Sequence, residues 1–105
     1  MMPQDRGPDA GTLLIRALRT MGAEFAVRID SIAGRPWASA TFAGTRHVVR
    51  LSAPDVPDVR SWLTSLPEAE FALRGHIIAD LALDSIETLD GDLCATLTVL
   101  SLEES

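Results

Sequence analysis

From Phe71 to Asp84 the chain alternates in character at every step. Phe71, Leu73, Gly75, Ile77, Ala79, Leu81 and Leu83 fall on one side, and Ala72, Arg74, His76, Ile78, Asp80, Ala82 and Asp84 on the other. A period of two marks a strand with one dry face, predicted here over Glu70–Ser85. Such a strand would be about 50 Å long if straight, more than a small domain supports, so a bend near Gly75 or a bulge near Ser85 is expected. The following Leu89-Asp90-Gly91 predicts a three-residue hairpin loop with Gly91 in the left-handed position. That loop pairs Leu83 with Leu97 and Leu81 with Val99 on the dry face, and Asp84 with Thr96 and Ala82 with Thr98 on the wet one. A two-residue loop at Asp90-Gly91 would mix the faces. In this register Ile78, Leu100 and Leu102 form an apolar patch on the otherwise polar side.

Upstream, the pattern first follows a helix. Leu14, Ala17, Leu18 and Met21 share one face at helical spacing, Asp9 is suited to cap the start, and Gly22 to end it. From Ala23 the period shortens to two, with Phe25, Val27 and Ile29 opposed to Glu24, Arg28 and Asp30. Gly34, Arg35 and Pro36 are expected to turn the chain into a second strand, Trp37–Ala43. A tight Ala43-Gly44 turn then feeds a third, Thr45–Ser52. This hairpin pairs Phe42 with Thr45, Ala40 with His47 and Ala38 with Val49 on the dry face. A second helix is expected after Ala53-Pro54, with Asp55 as cap, Val59, Trp62, Leu63 and Leu66 as its core stripe, and Pro67 at its end.

The predicted class is therefore α+β in the order α-β-β-β-α-β-β, one five-stranded antiparallel sheet with two helices packed on one face. Met1 to Pro8 read as a disordered leader and residues 9–105 as a single domain. The element order is similar to that of the type III secretion chaperones, whose members are also small, acidic and dimeric; the resemblance covers topology alone.

Composition narrows the chemistry. All nine basic residues in the 105-residue chain are arginine, and Lys, Tyr and Asn are absent, a bias that looks like a high-GC, bacterial coding sequence. Without lysine there is no Schiff base and no Walker-type phosphate loop. Residues 1–50 carry seven arginines against four acids, and residues 51–105 carry two against eleven, for a total of −6. That balance argues against nucleic-acid binding, which needs a basic face. Cys94 is alone, so no intrachain disulfide can form. No run approaches the ~18 apolar residues of a membrane span. The chain reads as cytoplasmic, without membrane contact.

No motif specifies a reaction, and neither a cofactor nor a metal is expected. The two histidines lie in separate strands, and the lone cysteine shows no CxxC or HExxH spacing. Cys94 is flanked by Glu87, Asp90 and Asp92, the reverse of the electropositive setting a reactive thiolate needs. His47 is expected to be buried. His76 and Asp80 share a face but stand about 13 Å apart along a straight strand, too far for a direct bond. The constellation left over is Arg28, Trp37, Arg46 and Arg50 on the wet face, joined by Arg74 and His76, which could hold an anion or a planar ligand through bidentate bonds and stacking. Pairing of those arginines with Glu24 or Asp30 is the simpler explanation. Two expectations follow: a small acidic adaptor domain, homodimeric through its exposed sheet face with Ile78, Leu100 and Leu102 in the contact, or else joined to another protein; and, alternatively, an anion-binding domain or minor enzyme working from the polar face.

Overall fold

The computed structural model describes residues 9–104, so the leader expected at Met1–Pro8 lies outside the described residues. The chain is α+β, with helices α1 (Ala10–Met21) and α2 (Pro57–Ser65) and strands β1 (Arg28–Ala38), β2 (Ala43–Pro54), β3 (His76–Leu89) and β4 (Asp92–Glu103). The strands form one antiparallel sheet in the order β1-β2-β4-β3. The sheet therefore has four strands, not the expected five, and the order α-β-β-α-β-β lacks one strand of the chaperone-like pattern.

The missing strand results from a misplaced turn. Gly34, Arg35 and Pro36 are extended inside β1, which is tolerable because β1 is an edge strand, where a residue without an N–H need break no ladder bond. The reversal comes instead at Ser39–Phe42. There the Ser39 N–H donates to the Phe42 carbonyl at 2.8 Å, and the Ser39 hydroxyl accepts from the Phe42 N–H at 3.1 Å. His47 consequently faces Gly34 instead of Ala40, and Val49 faces Ile32 instead of Ala38. The pairing has slipped by an even number of residues, so each side chain of β2 keeps its predicted face.

The β3–β4 hairpin departs from expectation in a more instructive way. Leu89 pairs with Asp92, which leaves a two-residue loop with both Asp90 (φ 52°) and Gly91 (φ 82°) left-handed, the conformation matching the twist of the strands. This is the loop that mixes faces, and the mixing is undone by bulges. The extra residue Asp84 between Leu83 and Ser85, and Ala79 between Ile78 and Asp80, each reverse the parity of β3. Leu81 and Leu83 pair with Val99 and Leu97 as predicted, while Ser85, not Asp84, opposes Thr96. Before β3 the chain turns sharply at Arg74-Gly75, with the His76 N–H donating to the Leu73 carbonyl at 3.0 Å, so the anticipated bend near Gly75 is a full turn.

One side of the sheet is dry. Along β4 every second residue from Leu93 to Ser101 is buried, and β2 contributes His47, Val49, Leu51 and Ala53. These apolar side chains form one cluster with Leu14 and Leu18 of α1, Val59 and Leu63 of α2, and Leu66 and Leu73. α1 has the predicted caps: the Asp9 carboxylate accepts from the Thr12 N–H at 2.8 Å, and the Gly22 N–H returns to the Leu18 carbonyl. α2 begins instead at Val56-Pro57 with no side-chain cap, and Asp55 pairs with Arg60 at 3.7 Å. Residues 23–25 form a 3-10 turn rather than a strand, which brings Phe25 within 5.7 Å of the Trp62 ring, centroid to centroid.

Gly44 permits the close approach of β2 and β4. A methyl group there would overlap the Ser101 carbonyl oxygen and sit 2.9 Å from Leu102 Cα. Gly44→Ala is expected to destabilise the fold by about 3 kcal/mol, the upper range of overpacking effects. Gly91→Ala meets nothing within 4 Å and bears only the positive φ, so about 1 kcal/mol is expected there. Urea unfolding of the two variants measures the difference.

Candidate functional site

The second face of the sheet has its side chains in cross-strand rows. Reading from β1 through β2 and β4 to β3, successive rows are Trp37, Gly44, Leu102, Ile77; then Arg35, Arg46, Leu100, Asp80; then Ala33, Val48, Thr98, Ala82; then Ser31, Arg50, Thr96, Ser85; and last Arg28, Ser52, Cys94, Glu87. Five rows over four strands measure about 19 by 30 Å. Val48 and Ile77 are exposed on this face at 39% and 48%, while Trp37, Leu100 and Leu102 are half-buried.

The charges on this face are sorted by strand, with Asp30 of β1 and Asp92 of β4 as exceptions. Arg28, Arg35, Arg46 and Arg50 stand on β1 and β2, whereas Asp80, Asp84 and Glu87 stand on β3. Arg35 and Arg46 are direct cross-strand partners, a like-charge arrangement that destabilises an antiparallel pair. Asp80, the acid of the same row, is two strands from Arg46, about 10 Å away across Leu100. Among the described residues the ion pairs are Arg28–Asp92 at 2.7 Å and Arg60–Asp55. Two acids on the face are hydrogen-bonded: Asp30 accepts from the Ser52 hydroxyl at 3.2 Å, and Asp84 accepts from Thr98.

The structure does not gather the six residues expected to bind a ligand. Trp37 and Arg46 lie in adjacent rows with Arg35 between them, and Arg50 is two rows further on. Arg28 sits in the last row, about 30 Å from Trp37 along the strand, and is held by Asp92. Arg74 occupies the turn before β3. His76 opposes Glu103 on the side shared with Ser101, not on the wet face, because the bulge at Ala79 reverses the pattern beyond it. The same reversal moves Ile78 of the expected patch to the core side, where it packs against the buried cluster, and brings Ile77 to the exposed face in its place. Leu100 and Leu102 lie where expected.

The residues that the pattern missed are Arg35, assigned to a turn, and Ile77, assigned to the core. The signal for the second lay in the spacing of Ile78, Leu81, Leu83 and Ile86. Separations of three, two and three cannot share one face of a regular strand, and each three marks a bulge.

At the end of the buried side, His47 and Ser101 are 3% and 1% exposed and bond to each other, His47 Nε2 to Ser101 Oγ at 2.9 Å. The Ser101 hydroxyl also lies 3.3 Å from the Thr45 carbonyl, so its one proton goes to that oxygen or to Nε2 as the tautomer of His47 decides. The serine is buried and so shut off from an acyl substrate. The pair is a buried polar tie between β2 and β4. Beside it a cleft of about 600 Å³ runs between the start of α1 and the sheet, lined by Asp9, Thr12, Ile32, His47 and Glu103 among others. Asp9 is committed to its cap there, and the Thr12 N–H holds its carboxyl below the usual range.

Burial pushes His47 below its ordinary value of 6.5. The unfolded chain then binds the extra proton first, so stability is full above about pH 6.5 and falls as pH drops toward the folded value, at about 1.4 kcal/mol per unit of depression. Melting temperatures are expected to decline between pH 7.5 and 5.5 and to decline less in His47→Gln, which keeps a donor for Ser101 but does not titrate. Equal pH profiles for the two proteins would refute the assignment. Comparison with protein families, with curated proteins and with solved structures found no match to this chain.

Proposed function

We propose that this chain is a non-enzymatic interaction domain that forms a homodimer through the exposed face of its sheet, its two helices covering the opposite face. The observation that carries this reading is the composition of the exposed face. Leu100, Leu102 and Ile77 are neighbours on β4 and β3, Trp37 stands in the same row as Leu102 beyond Gly44 of β2, and Val48 extends the apolar surface toward the middle of the sheet. A monomer gains nothing from apolar side chains there, and contiguous exposed apolar surface of this kind marks a contact. The planar area of the face, roughly 600 Å², lies near the ~800 Å² per partner that a standard interface buries once side-chain relief is included. Support from the rest of the molecule is consistent with a binding role: the Ser101 hydroxyl is buried, and the arginines are spread along strands rather than converging on a cleft.

Sedimentation velocity tests the reading. The parent protein is expected to sediment as a dimer, with a melting temperature that rises with protein concentration. Leu100→Asp is expected to weaken association at least tenfold while leaving the circular dichroism spectrum unchanged, because Leu100 is outside the buried cluster. A parent protein that stays monomeric at about 1 mM, or a Leu100→Asp variant that dimerises as tightly as the parent, would overturn it.

A further inference from the structure

We infer that the second copy sits face to face on this sheet about a two-fold axis running parallel to the strands, so that Arg35 of each copy lies over Asp80 of the other. The inference rests on the homodimer reading of this face and adds the geometry of the contact, which the charges select.

Two sheets that pack face to face stand about 10 Å apart, with a symmetric contact made by the same patch on both copies. A two-fold axis lying between such sheets has two principal orientations. If it runs across the strands, each strand meets its own counterpart with the order of the rows reversed, and an axis centred on the middle row sets Arg46 of one copy over Arg50 of the other. The arginines of β2 then face arginines, and Asp80 lies over Ser85 with no base opposite it. If the axis runs along the strands, the order of the sheet is reversed from one copy to the other, and β1 meets β3. The row Arg35, Arg46, Leu100, Asp80 then lies against the row Asp80, Leu100, Arg46, Arg35.

This second arrangement resolves what the single chain leaves in conflict. Arg35 and Arg46 are neighbours with no acid in reach among the described residues, and the second copy supplies one directly over the pair. Arg46 extends its methylene stem over the partner's Leu100, the way long charged side chains cover apolar surface. One row along, Trp37 meets the partner's Ile77, so apolar side chains face apolar ones where acid faces base beside them. The contact closes at two copies and gives each Arg35 an acid opposite it. Charge pairing of this kind selects orientation more than it adds affinity, which is the role it has here.

Charge reversal tests the axis separately from the face. Arg35→Glu and Asp80→Arg, each alone, place like charges over one another and are expected to weaken the dimer about tenfold by sedimentation. The chain carrying both changes restores complementarity and is expected to dimerise within about threefold of the parent. Both positions are solvent-exposed, and circular dichroism verifies the fold of each variant. Single reversals that leave association unchanged, or a doubly reversed chain that stays as weak as the singles, would overturn the axis. If Leu100→Asp still dissociates the dimer in that case, the face stands and only the orientation falls; a monomeric parent removes both.

Discussion

The pairing of β2 with β4 is the constraint on which the rest of this structure depends. Eleven consecutive residues, Gly44 to Pro54, match Leu102 to Asp92 without a bulge. Both strands therefore keep a strict period of two, and the buried face is continuous from Leu93 and Ala53 to Ser101 and Thr45. The edge strands are irregular by comparison, β1 with one shift of register and β3 with two. Those irregularities are tolerated because the central pair already fixes which side of the sheet is dry, and each bulge serves to return an outer strand to that side. The His47–Ser101 bond ties the same two strands at their far end, where the apolar cluster thins out and a polar contact holds the register in its place.

Much of this was legible in the amino-acid sequence, and the failures share one cause. Helix α1 with its Asp9 cap, the core stripe of α2, the dry faces of β2 and β4 and the Leu81–Val99 and Leu83–Leu97 pairs all follow from local periodicity, which the buried cluster enforces. Turns are set by a balance of smaller effects. Pro36 reads as a breaker because a proline inside a sheet loses a ladder bond, yet on an edge strand there need be no ladder bond to lose. Ser39 carries no strong turn preference of its own, and the reversal there depends on its hydroxyl accepting a backbone N–H. The rule that apolar pairs must share a face was sound for Asp90-Gly91, but it was satisfied by inserting residues into β3 and not by lengthening the loop.

The candidate site was legible only in part for the same reason. Its location on the polar face and the positions of Leu100 and Leu102 follow from β4, the most regular strand. The positions of His76, Ile77 and Ile78 depend on one extra residue, Ala79, which inverts everything before it. The sorting of arginines to one side and acids to the other was visible only as a charge imbalance between the two halves of the chain. It takes the strand order β1-β2-β4-β3 to turn that imbalance along the sequence into an imbalance across a surface.

The two outermost strands have a further consequence. β1 carries Pro36, which offers no N–H, and β3 carries the bulges at Ala79 and Asp84, which interrupt the straight run of backbone groups a newcomer would need. Lateral growth of the sheet into a ribbon or fibril is thereby discouraged at both margins, although fourteen residues of β3 would otherwise make a long template. The broad surface is the one on which the proposed dimer forms, and the irregular margins keep such a contact from being extended sideways into a polymer.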